Sequence, residues 1–380
     1  MGGVRTQVAA NMGDRNPLTM TLDLNSVAIN DPDLMRLPHP RRMEIAGMVP
    51  MWEDLFAADL EPLKAALLDL DQPLEFVIKD MLKRPHFAAI VEEMGYAPGN
   101  TNFGMLEAAL TNLRYAYAGV RLFQTRDDLD VRLRQTDIGD QAPCKFLSLP
   151  YPVMFLEFGE SRSTPLTISH DDSGAHIMEG VYLSEHRLGA DARMLYFLFC
   201  GSPMGKRNML DDVTRSFALP IDREEDPLET ALAAMVAHYR GLKYQQRTPE
   251  HQVQECVDAI YHTAKVLLYL NSYHPVTEAR AEYTELQQRL QRVKAGKRAK
   301  LERKASRAYD RVVIGPKTMP SSTDANSTHR TVETHWRRGH YRLQAYGPKR
   351  VDRKLIWIEP TLIGVDNITD TGLRKAYSIK

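Results

Sequence analysis

Apolar residues recur at helical spacing along the first third of the chain. Leu55, Leu60, Leu63, Leu67 and Leu70 predict one amphipathic helix over residues 52–70. Two shorter helices are predicted over residues 73–82 and 86–94, stopping at the breaker Gly95-Tyr96-Ala97-Pro98-Gly99. Asn102 can cap the next helix, whose Leu106, Leu110, Leu113, Tyr117 and Val120 line one face. The pattern then changes. Residues 144–158, 176–184, 193–200 and 213–219 are short runs rich in β-branched or aromatic side chains. Pro150, Gly159, Gly189 and Gly201-Ser202-Pro203 separate them, which predicts an antiparallel sheet of about four strands. Helical periodicity resumes over residues 228–239 and 249–270, the second with Val253, Val257, Ile260, Ala264, Leu267 and Leu268 on one face. Helices, then strands, then helices give an α+β class without βαβ alternation.

Residues 278–307 look helical but carry little apolar stripe, and Gly315-Pro316 with Pro320-Ser321-Ser322-Thr323 reads as a flexible linker. Residues 340–346 and 354–359 alternate around Tyr346-Gly347-Pro348-Lys349, the pattern of a β-hairpin with a long loop. His340, Arg342 and Gln344 then share one face, and Tyr341, Leu343 and Ala345 the other. The expected organisation is a mobile leader (1–35), an α+β body (36–285), a basic helix with a linker (286–328) and a C-terminal hairpin module (329–380).

With 43% apolar and 26% charged residues, 380 residues allow one large or two modest domains with an ordinary core. No apolar run approaches the ~18 residues of a membrane span. The first thirty residues lack a secretory signal core. Cys144, Cys200 and Cys256 have no metal-type spacing and suit buried free thiols in a reducing cytoplasm. A formal net charge of zero conceals a division: residues 289–380 hold 22 Lys+Arg against 8 Asp+Glu, and residues 1–288 hold 27 against 41. A basic end of this kind meets phosphate, an acidic partner, or the protein's own acidic body.

Catalytic patterns are weak. His170-Asp171-Asp172 with His176, Glu157 and Glu160 offers metal or acid–base side chains, but the spacing fits a turn between strands better. His329, His335 and His340 have no cysteine nearby, and Arg337 and Arg338 would repel a cation. There is no phosphate-binding loop and no nucleophile elbow. The expectation is a non-enzymatic protein with no metal, no cofactor and no small-molecule substrate. The basic regions say more. Residues 289–317 hold eleven cations and two acids; a solvated helix is the plain alternative, though such helices usually intersperse acids. Trp336, Tyr341, Tyr346 and Trp357 interleave with Arg337, Arg338 and Arg342, a combination that suits single-stranded RNA through stacking and planar donors, or an acidic peptide. The predicted binding residues are His335, Trp336, Arg337, Arg338, Gly339, His340, Arg342 and Trp357.

His335-Trp336-Arg337-Arg338-Gly339-His340-Tyr341, followed by Ile356-Trp357-Ile358-Glu359-Pro360, resembles the C-terminal motif of a type V-A anti-CRISPR family found on phages and plasmids. The run from Phe146 through Leu149-Pro150-Tyr151-Pro152 to Phe155 resembles that family's Leu-Pro strand segment, and Gly180-Val181-Tyr182 and the apolar helix at 266–270 follow in comparable order. The resemblance implies an antagonist of the effector Cas12a that recognises its N-terminal peptide as it is made and lowers its expression. The implied partners are the nascent Cas12a peptide and mRNA or the ribosome, in the cytoplasm of a bacterial host. Family-derived positions are confined to His335, Arg337, Arg338, Gly339, His340 and Trp357. Two rivals stay open: a mobile-element RNA- or DNA-binding accessory protein, and a metal-dependent nuclease built on His170, Asp171 and His176.

Overall fold

A strand that is apolar at every position needs cover on both faces, and Val153-Met154-Phe155-Leu156 is such a run. The computed structural model describes residues 37–94, 104–139, 142–159, 165–170, 174–189, 192–203, 213–241, 250–317 and 335–363. Among the described residues six helices come first: α1 (His39–Ile45), α2 (Met48–Leu55), α3 (Leu60–Leu68), α4 (Leu74–Met81), α5 (Pro85–Glu93) and α6 (Gly104–Tyr117). Then follow β1 (Leu122–Thr125), α7 (Asp127–Arg134), the short β2 (Thr136–Asp137), β3 (Val153–Glu157), β4 (Leu166–His170), β5 (Gly174–Arg187), β6 (Arg193–Pro203) and β7 (Val213–Ile221). Helices α8 (Leu228–Gly241) and α9 (Glu250–Leu270) lead to β8 (Thr277–Arg280), α10 (Glu282–Arg292), α11 (Ala295–Ala305) and β9 (Arg311–Ile314). The chain continues through β10 (His335–Arg337), β11 (Gly339–Tyr346), β12 (Asp352–Ile358) and β13 (Thr361–Ile363).

The main sheet runs β7-β6-β5-β3-β1-β9-β8, and β4 pairs with the first part of β5. Alternation places Val153, Phe155, Tyr182 and Leu198 on one face, in a cluster with Tyr115 of α6. Met154, Leu156, Val181, Leu183, Phe197 and Phe199 occupy the other, packed with apolar residues of α7, α8 and α9. Helices α1 to α6 share a core of their own around Phe56, Leu63, Val77, Phe87 and Leu110. This is the α+β class the pattern predicts.

Several details differ from the periodicity. Residues 278–280, which the pattern places in a helix, belong to β8, and the rest of that run is split into α10 and α11. The helix expected over residues 52–70 is broken into α2 and α3 by a 3₁₀ turn, Ala57–Asp59. Asp59 is buried there, and its carboxylate accepts the Phe87 N–H at the start of α5 (3.1 Å), so a tertiary cap overrides helical continuity. Among the described residues the sheet has eight strands, and it is mixed because β1 pairs in parallel with both β3 and β9. The segment β1–α7–β3 is therefore a parallel crossover, which the alternation does not announce: Gln124 and Thr125 are polar yet buried, and Gln124 Nε2 donates to Glu157 Oε2 (2.7 Å). Finally, Gly315, expected in a linker, closes an internal strand. Its N–H donates to the Val276 carbonyl, and its own carbonyl accepts from Arg126 Nε (3.1 Å). The leader, the Gly95–Gly99 breaker, Asn102, Glu160, Asp171-Asp172, the run at 320–323 and His329 lie outside the described residues. Among the described residues no helix is long and apolar enough to cross a membrane. The three cysteines are free and buried.

Helix α1 is fastened to the sheet by charge. Glu179 is the extra residue of a bulge between β5 and β6, and its carboxylate lies 2.7 Å from Arg42 Nη2, both side chains being fully buried. Arg42 also donates to the Leu37 carbonyl (2.7 Å) and to Ser202 Oγ (2.9 Å). Next to the bulge, Gly180 has no room for a side chain, since a Cβ there would lie 2.3 Å from the Leu156 carbonyl oxygen. Arg42→Met takes the facing cation away from the buried Glu179 carboxylate and should lower stability by roughly 3–5 kcal/mol. The double change Arg42→Met with Glu179→Leu should recover most of that loss in urea denaturation. A double variant no more stable than the single one would refute this account of the pair.

Candidate functional site

The C-terminal strands form two small sheets. β10 pairs antiparallel with β13, matching Arg337 to Thr361, and β11 pairs antiparallel with β12 from His340↔Ile358 to Tyr346↔Asp352. The hairpin is not separate from the body. β2 joins β11 in parallel at Gly339↔Thr136 and His340↔Asp137. The apolar face of the hairpin, with Tyr341 and Leu355 buried, enters the same core as α9 and the main sheet.

Thr136 is the pivot of this junction. Its hydroxyl donates to the Arg132 carbonyl (2.9 Å) and accepts from Trp357 Nε1 (3.2 Å). The Trp357 ring stands edge-on to Tyr269 of α9, with centroids 5.2 Å apart. Tyr341 Oη donates to the Lys265 carbonyl (2.5 Å), and Arg132 pairs with Glu359. Burial holds the Tyr341 hydroxyl well above its usual range and pushes the Lys265 ammonium below its own. Gly339 lies against Thr136, where a Cβ would be 2.5 Å from the hydroxyl and 2.7 Å from Pro360 Cδ. The glycine of the motif is thus a packing requirement.

The predicted binding residues divide accordingly. Gly339 and Trp357 point into the junction and fix the hairpin. Arg337, Arg338 and Arg342 are exposed, and His340 is half-buried. Arg338 Nη1 lies 3.5 Å from Asp137 Oδ1, with both side chains largely in solvent, so the contact adds little stability. Arg342 donates to Gln344 Oε1 (3.1 Å) on the same outer face, which keeps the predicted split of the two faces. His335 and Trp336 contribute strand pairing in β10; their side chains lie outside the described set. Thr136, Asp137, Lys265 and Tyr269 complete the site from the body, and no local spacing in the sequence connects them with the hairpin.

Two features of the site suit a partner. β12 covers one edge of β11, but β2 covers the other only at Gly339 and His340. From Arg342 to Tyr346 that second edge has no strand neighbour among the described residues. Beside the strand lies a cleft of about 250 Å³ lined by Gly139, Ala142, His340, Tyr341, Arg342, Leu343 and Leu355. An edge of unpaired N–H and C=O groups is a template for an added strand.

Of the acid–base candidates near β4 and β5, the side chains of His176 and Glu157 are described, and both have other contacts. His176 is buried, with Nδ1 3.0 Å from the Gly174 carbonyl oxygen. Glu157 is buried as well and accepts from Gln124. The strands flanking Asp171-Asp172 are antiparallel neighbours, with His170 opposite Gly174. Among the described residues no group of three His, Cys, Asp or Glu is placed to hold a metal ion.

The model of the Anti-CRISPR type V subtype A2 family matches residues 123–365, from β1 to just beyond β13. The chain belongs to this family. It is therefore an anti-CRISPR protein directed at type V-A systems, and the resemblance at 335–341 and 356–360 is to the same family. A comparison with curated proteins gave no match. The match takes in the sheet, both basic regions and the hairpin junction, whereas α1 to α6 precede it.

Gly339→Ala in this anti-CRISPR protein should destabilise the junction by about 1–3 kcal/mol through overpacking. Thr136→Ser in the same chain keeps the crowded hydroxyl and should not rescue it, whereas Thr136→Ala should recover part of the loss. Urea midpoints of the single and double variants test this, and a neutral Gly339→Ala would contradict the close packing.

Proposed function

We propose that the protein antagonises Cas12a by capturing the effector's N-terminal peptide as it is translated, and so lowers effector expression. Capture takes place in the bacterial cytoplasm, without catalysis, on behalf of the phage or plasmid that carries the gene. The observation that carries this reading is the half-open edge of β11. An extended peptide pairing from Arg342 to Tyr346 would continue the line of β2 and lie along the cleft at His340 and Leu343. Backbone pairing needs no folded partner, which suits a chain still leaving the ribosome. Side chains entering the cleft would then supply selectivity, and Arg342 and His340 would offer donors to peptide carbonyls and carboxylates.

A reporter gene fused behind the effector's first codons tests the reading in cells. The in-frame fusion should be repressed when the protein is present. A control with the same segment shifted by one nucleotide, with nearly the same message but another peptide, should not. Arg342→Glu, at an exposed position outside the packed junction, should weaken repression by about tenfold, the effect of losing ~1.4 kcal/mol of binding. Equal repression of both reporters would overturn peptide recognition, and unchanged repression by Arg342→Glu would remove β11 as its site.

A further inference from the structure

A second basic surface lies on the insertion between β8 and β9. Helices α10 and α11 pack on each other through a small cluster of their own, Leu286, Leu290, Ala305 and Ala308. The base of the arm is tied down by Asp310, which accepts the N–H groups of Tyr283 (2.8 Å) and Thr284 (3.1 Å), and by Glu282, which pairs with Arg311. Asp310 and Glu282 are thus occupied at the base, Glu285 lies in the first turn of α10 rather than on α11's outer arc, and Glu302 pairs with Arg298 at 3.0 Å.

Lys297, Lys300, Arg303 and Lys304 are different. All four are exposed, and none pairs with an acid among the described residues. At about 100° per residue they span roughly 120° of the α11 circumference, beside the Leu301–Ala305 stripe that faces α10. Arg292 and Lys294 are exposed where α10 gives way to α11, so the cationic surface reaches the tip of the arm. A solvated helix normally intersperses acids for pairwise support, and this arc has none.

We infer that α11 is a binding surface for the phosphate backbone of RNA. The arc has the charge for it and lacks what a protein interface requires. It holds no aromatic or large apolar anchor, and three of its four cations are lysines, which interfaces with proteins disfavour at their centres. Phosphate contact needs only a row of accessible cations and gives affinity without sequence preference. The acidic remainder of the chain repels the same polyanion, so a nucleic acid would be confined to the arm and the basic hairpin. This inference goes beyond peptide capture and does not require it.

The test is direct binding of a fluorescent 30-nucleotide single-stranded RNA of mixed sequence to the full-length protein. Four phosphate contacts predict that affinity falls about 50-fold between 50 and 200 mM salt. Replacing Lys297, Lys300, Arg303 and Lys304 together by Gln keeps good helix formers, so the circular dichroism spectrum should not change. The quadruple variant should bind at least about tenfold more weakly at 50 mM salt and lose roughly 3 from its salt slope, and Lys300→Gln alone should lose about 0.7. RNA binding with the same affinity and slope in the variants would overturn the inference. Poly-glutamate bound more tightly than RNA, and released by the same changes, would overturn it in favour of an acidic protein partner. Because the frame-shifted reporter reads peptide recognition separately, either proposal can fail while the other stands.

Discussion

The contact of Gly339 with Thr136 decides what the basic end of the chain can be. Without room for even a methyl group at Gly339, β11 is drawn against β2, and the aromatic residues that follow fall into place behind it. Trp357 reaches the Thr136 hydroxyl, and Tyr341 reaches a carbonyl of α9. The hairpin is therefore an extension of the body, with its apolar face in the common core. Its outer face and one strand edge remain to meet a partner. A binding edge held in this way loses little conformational freedom on binding, which favours capture of a flexible peptide.

The same contact sorts the charges. The segregation between an acidic body and a basic end has two explanations, an outside partner or a fold back onto the body. Among the described residues of the hairpin junction, only Arg338 with Asp137 shows the second, at an exposed contact. Arg132 with Glu359 and Arg338 with Asp137 join the hairpin to the body across the junction. Lys297, Lys300, Arg303 and Lys304 lie on a different element and meet no such acid among the described residues. Two basic regions that look alike in composition thus differ in geometry: one is a strand edge backed by aromatic residues, the other a helix surface of charge alone.

Much of this was legible in the sequence, for identifiable reasons. Alternation at Tyr341, Leu343 and Ala345 revealed the inner face of the hairpin because burial is one-sided there. The heavily apolar strands β3, β5, β6 and β7 were visible for the same hydrophobic reason, and α9 announced itself by its long periodic face. What stayed hidden depends on distant partners. β1 is half polar because Gln124 and Thr125 find acceptors inside the core. The break at Ala57–Asp59 depends on a helix that begins almost thirty residues later. Trp357 and Thr136 are 221 residues apart, so no motif could show that the tryptophan is a packing residue and only the arginines around it face solvent.

The central claim is that β11 is completed by an added strand, and amide hydrogen exchange measures this at the backbone itself. A synthetic peptide with the effector's N-terminal sequence should slow exchange across Arg342 to Tyr346 and leave α8 unchanged. A scrambled peptide should have no effect on either. Tight binding of the peptide with no added protection on β11 would contradict the account.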